Sequence, residues 1–252
     1  MTIKLIRSKT MKMKKHLTNP IGFRAALWAV GIGLAAIGAQ AQHINAGAVS
    51  TNQGGQLYFQ NGASFVNTSG FVASLNYSNS GTYAGFFNIG GLTFTALART
   101  NAAGPPSPAA AAFGSFLQLR LETVISGPAG GTFSFWEDLA GSPTLSLGVG
   151  QTVGTGNLFP LSDASLGAGL PGGDPYGHLH GRRYTATLPG DYLVGFRIVD
   201  TSNNGFGGGP IQSDSDLFLM TFRAVPEPAT GLLLGAGALA LAAARRWRKA
   251  SR

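Results

Sequence analysis

Between residues 42 and 225 the chain is broken by turn residues at roughly the eight-to-twelve-residue spacing of an all-β protein, and the pieces between them repeat with a period of two. In Phe116-Leu117-Gln118-Leu119-Arg120-Leu121-Glu122, Leu117, Leu119 and Leu121 point one way and Gln118, Arg120 and Glu122 the other. One face meets a core and the other meets water. Alternating or continuous apolar patterning also predicts strands at 56–60, 70–77, 82–89, 92–98, 116–125, 132–136, 144–149, 183–188, 192–200 and 217–224. Turn chemistry separates them at Asn61-Gly62, Ser69-Gly70, Asn79-Ser80-Gly81, Gly90-Gly91, Gly127-Pro128, Pro189-Gly190-Asp191 and Asn203-Asn204-Gly205. No stretch of this body carries a capped 3.6-residue stripe, so the expected body is all-β, a sandwich or jelly-roll. The runs 104–112 and 150–173 read as long loops on it.

Composition supports a body of this kind. Gly and Pro make up 51 of 252 residues, too few for a low-complexity chain, and 44% hydrophobic residues are enough for a core. The formal charge of +8 invites a nucleic-acid reading until the charges are located. Residues 1–41 hold seven Lys/Arg and no acid, and residues 226–252 hold five with only Glu227. The body between has six Arg against nine Asp/Glu and no Lys, a net −3. Without clustered cations it has no phosphate-binding surface, and nucleic acid is excluded as a partner. Zero Cys excludes disulfides, Cys-ligated zinc and thiol chemistry.

Each end of the chain pairs cations with an apolar run. Lys4, Arg7, Lys9, Lys12, Lys14, Lys15 and Arg24 precede the apolar stretch 25–39, which leads into Ala39-Gln40-Ala41. That is the order of a secretory signal: cations stay on the cytoplasmic face, a short apolar helix enters the membrane, and small Ala39 and Ala41 fit signal peptidase. Cleavage after Ala41 leaves Gln42-His43 as the new start, and Met1, Met11 or Met13 each gives a complete signal. An uncleaved span is the alternative, but the run is short of the ~20 residues needed to cross.

At the other end, Val225-Pro226-Glu227-Pro228 leads to the apolar run 231–244 and then to Arg245, Arg246, Arg248 and Lys249. This tripartite tail resembles the PEP-CTERM sorting signal of Gram-negative bacteria. The resemblance implies processing by an exosortase, a single transmembrane helix held at the inner membrane on the periplasmic side, and later release to the cell surface or exterior. The prolines deny the chain a helical start, which would leave Pro226-Glu227-Pro228 extended and accessible. The basic cluster would stop transfer. An ordinary C-terminal anchor predicts the same topology.

The body keeps three histidines, His43, His178 and His180. In an extended segment residues i and i+2 share a face, so His178 and His180 can aim at one cation while Leu179 turns away. With His43 or Asp174 added, the set suits Zn²⁺. The plainer reading is two solvent-facing histidines in a polar loop. Segments 43–48, 55–59, 127–137 and 178–196 together are similar to a family of PEP-CTERM-bearing surface proteins described as repressed by the zinc-uptake regulator. That resemblance implies a zinc-linked extracellular role, with His43, His178 and His180 as the ligands by our own positional reading.

Other signals are weaker. Leu188-Pro189-Gly190-Asp191-Tyr192 resembles the tyrosine corner of immunoglobulin-like sandwiches. Asp214 and Asp216 share a face but have no further acids beside them. Glu122 with Glu137-Asp138 has the residue types of a glycosidase pair. Phe133, Phe135 and Trp136 read as a sugar platform or, better, as core.

The expectation is therefore a signal peptide at 1–41, a β-sandwich, jelly-roll or immunoglobulin-like domain at 42–225 and a sorting tail at 226–252. It is an exported surface protein and not an enzyme, with a Zn²⁺ site on its histidines and with signal peptidase, exosortase, inner membrane and exopolysaccharide as partners. The alternatives are a metal-free structural or adhesive matrix component and a secreted metal-dependent hydrolase.

Overall fold

A computed structural model of the chain describes residues 42–101 and 104–226, with the isolated positions 237 and 239. The expected signal helix, its cleavage site at Ala39 and Ala41, the rest of the Pro-Glu-Pro motif, the transmembrane helix and the stop-transfer cluster lie outside the described residues. Among those described, no helix is long and apolar enough to cross a membrane.

The body is built from strands. In chain order they are β1 Gln42–Ala48, β2 Leu57–Phe59, β3 Val72–Tyr77, β4 Phe87–Ile89, β5 Leu92–Ala96, β6 Leu117–Ser126, β7 Thr132–Trp136, β8 Leu145–Gly148, β9 Leu158–Pro160, β10 Gly177–His178, β11 Arg183–Ala186, β12 Gly190–Asp200 and β13 Phe218–Val225. Four form a small sheet in the order β10-β5-β1-β2, and nine form a large one in the order β8-β7-β11-β4-β3-β13-β12-β6-β9. Two pairings, β1 with β5 and β13 with β3, are parallel.

The large sheet has to curl. Strands β11 and β12 stand four places apart in its order, about 19 Å at normal strand spacing. Yet only three residues, 187–189, separate Ala186 from Gly190, so the four Cα steps between them reach about 14 Å at most. Curling also brings the two margins together: Phe135 on β7 stacks on Phe159 of edge strand β9 with ring centres 3.7 Å apart. What the structure establishes is this curled all-β body.

Its interior is aromatic. Phe94, Phe133, Phe135, Tyr184, Tyr192, Phe196 and Phe222 are buried in one cluster; full burial of one such ring stabilises by about 1.5–3 kcal/mol. Trp136 joins the core and donates its indole N–H to Thr185 Oγ1 at 2.8 Å. The sugar-platform alternative for Phe133, Phe135 and Trp136 therefore fails, because none of the three faces solvent. Tyr192 Oη donates to the Leu188 carbonyl at 2.9 Å and accepts from the Leu188 N–H at 3.1 Å, so the ring pins the turn that precedes β12.

Candidate functional site

The three body histidines meet over β5. Strands β1 and β10 flank it on either side, with His43 in register with Thr93 and His178 with Thr95. Thr93 and Thr95 are both buried and, two residues apart, face the same way. The imidazoles close over this threonine ridge, and His43 Nδ1 shares a 3.2 Å hydrogen bond with Thr95 Oγ1. Ring centres of His43 and His178 are 4.5 Å apart, those of His178 and His180 4.3 Å, and those of His43 and His180 6.0 Å. Phe94, between the two threonines, points to the opposite face and packs against Phe59, Tyr184 and Phe196. The alternation Leu92-Thr93-Phe94-Thr95-Ala96 thus supplies core on one side and a polar floor on the other, and it is the signal by which Thr95 could have been placed in the site.

Electrostatics favour the neutral form of His178. Burial first, then the neighbouring His180 and His43, holds the His178 imidazole below its ordinary 6.5. Its Nε2 is buried with no hydrogen-bond partner among the described residues. Neutral imidazole is the form that can ligate a metal. As the side chains stand, however, no group of three or more His, Cys, Asp or Glu among the described residues is set to hold a metal ion.

Asp174 does not join the histidines. Its Oδ1 accepts from the backbone N–H of Arg99 at 2.8 Å and of Tyr176 at 3.2 Å, and its Oδ2 from the N–H and Oγ1 of Thr100 at 2.8 and 2.6 Å. Burial pushes this carboxyl up, but the four hydrogen bonds outweigh it and hold the group below the ordinary 3.8. Its oxygens are committed to fastening two loops together.

Four of the other acids are similarly engaged. Glu122 forms a two-pronged pair with Arg197, and Glu137 does the same with Arg182. The Arg182 guanidinium in turn lies over the rings of Phe135 and Phe159. Asp214 sits 3.6 Å from Arg120 while Asp216 accepts from Gln56, so these two carboxylates serve different partners. A pocket of about 270 Å³ lies between β2 and β13, bounded by the stacked Phe59 and Phe218 and rimmed by Gln56 and Asp216.

The body therefore defines a class, a curled all-β domain with a histidine cluster on its smaller sheet. Its last strand runs straight into the tail, and there the comparison with known families is informative: the model described as the PEP-CTERM protein-sorting motif matches residues 224–249. The match begins inside β13 and takes in Val225 and Pro226. It supports an exported protein that is sorted by an exosortase, passes a membrane and reaches the cell surface. No curated protein and no solved structure matches the chain.

Proposed function

We propose that this is a surface protein whose export begins with signal-peptidase cleavage after Ala41 and ends when an exosortase removes the tail at Pro226-Glu227-Pro228. Until then the tail holds the body on the periplasmic side of the inner membrane. The observation that carries the reading is the sorting-motif match at 224–249, in register with the Pro-Glu-Pro, apolar and basic segments. Replacing Pro226, Glu227 and Pro228 by Ala in the native host tests it. Unprocessed protein should accumulate in the membrane fraction; normal release would overturn the assignment of these residues.

The finer part of the proposal is that the body binds zinc through His43, His178 and His180 and is not an enzyme. Imidazoles sharing a tetrahedral zinc have ring centres about 5 Å apart, given Zn–N distances of about 2.0–2.1 Å. The three separations here, 4.3, 4.5 and 6.0 Å, bracket that value. The unpartnered Nε2 of His178 adds a free donor at the centre. Coordination would require the rings to turn about their side-chain torsions. Among the described residues no ligand group is preset, and the rival reading is a metal-free structural or adhesive component. A melting curve separates the two, because a metal held only by the folded state adds about 2.7 kcal/mol at a hundredfold excess over Kd. Zinc should raise Tm in the parent and not in His178→Ala; an unchanged parent Tm would favour the rival.

A further inference from the structure

We infer that the end of the large sheet from which the tail departs is a membrane-facing surface, resting on the lipid interface while the tail is attached. The inference depends on the proposed reading of the tail as membrane-entering. Strand registers identify this end. Val225 lies beside Asn76 and Ala224 beside Gly190. The same margin continues through Tyr77 opposite Phe87, Phe87 opposite Ala186 and Thr132 opposite Gly148. The turns 78–86, 127–131, 149–151 and 187–189 cap it.

Those four turns contain no Asp, Glu, Lys, Arg or His, and neither does Val225-Pro226. At the other ends of the same strands stand Glu137, Asp138, Asp163, Asp200, Asp214 and Asp216. Near the tail, Asp191 and Arg223 neutralise each other in a two-pronged pair. Apolar side chains come to the surface there as well: Tyr77, Ile125, Leu188 and Val225 are all more than a third exposed. With no ionic side chain in its turns and with Asp191 and Arg223 closed on each other, this end loses less when water is withdrawn than the acid-lined opposite end does.

Chain length supplies the occupant. Only residues 226–230 separate β13 from the apolar run that starts at Gly231, a reach of at most about 18 Å. A body on so short a tether is held beside the bilayer at high effective concentration, so a contact too weak to persist alone is occupied. With no cations in the turns, the contact should be insensitive to salt and to anionic lipid, unlike polybasic docking.

The chain has no Cys, so single-cysteine labels report cleanly. Full-length protein would be reconstituted in phosphatidylethanolamine/phosphatidylglycerol vesicles with an environment-sensitive label at Ala84→Cys, Ala129→Cys, Ala164→Cys or Ala238→Cys. Quenching by nitroxide-bearing lipid should be strong at 238, clear at 84 and 129, several-fold weaker at 164 beyond β9, and unchanged by salt. Quenching at 238 with 84 and 129 no better quenched than 164 would overturn the docking alone. No quenching at 238 would overturn the membrane reading of the tail and the docking with it.

Discussion

Leu139 holds φ at +60° in the turn after β7 and is 94% exposed, so a branched side chain sits where glycine is favoured and packs against nothing. Leu139→Gly should raise the free energy of unfolding by about 0.5–1 kcal/mol, the usual gain from relieving such a residue. Chemical denaturation checks it, and a loss would mean the side chain has an unseen contact. Asp174 predicts the opposite sign. Removing its carboxylate in Asp174→Ala takes an acceptor from the N–H groups of Arg99, Thr100 and Tyr176 and should cost about 1–3 kcal/mol. Because its folded pKa lies below 3.8, its stabilisation is complete above that pH and is lost as pH falls through the folded value. The parent should therefore lose stability faster than Asp174→Asn below pH 3.8 and in parallel with it above. Nothing in Gly173-Asp174-Pro175 announces those partners, which come from residues 99–100, and so the sequence reading placed Asp174 with the histidines.

Among the elements, legibility followed side-chain size. Strand β7 falls at 132–136 as its aromatic alternation predicts, and β6 and β12 agree to within two residues. Strand β1 escaped because Ala46, Gly47 and Ala48 leave almost no alternation to read. Bulk there is excluded by neighbours, as a Cβ on Gly47 would lie 2.4 Å from the Ala109 carbonyl oxygen. Strands β9 and β10 are three and two residues long, too short for any period. The predicted strand at 82–89 keeps only 87–89, since 78–86 is spent on a turn closed by hydrogen bonds from Ser78 N to Phe86 O and from Gly85 N to Ser78 O. The histidine spacing was visible in Gly177-His178-Leu179-His180, and the threonine face of β5 in its alternation; that β1 and β10 would pair with β5 and bring the two together was not. At the start of β12, Tyr192→Phe keeps the ring and deletes both bonds to Leu188, for an expected loss of about 1–2 kcal/mol in denaturation. No change would mean that the turn is held by packing alone.

Over the whole molecule, charge explains more than total composition does. A chain with a formal +8 encloses a body at −3, because its cations belong to the two terminal segments. Within the body the turns at the margin where β13 meets the sorting motif hold no ionic side chain, and the nearby Asp191 and Arg223 are paired with each other, so a directional signal in the sequence continues as an asymmetry in the fold. The central claim is that both terminal segments are removed on the way to the surface. Intact-mass measurement of the protein recovered from the exterior of its native host tests this most directly. The account predicts one species beginning at Gln42 and lacking the apolar run 231–244 and the basic cluster after it. A full-length mass, or a protein confined to the cytosol with both ends in place, would contradict it.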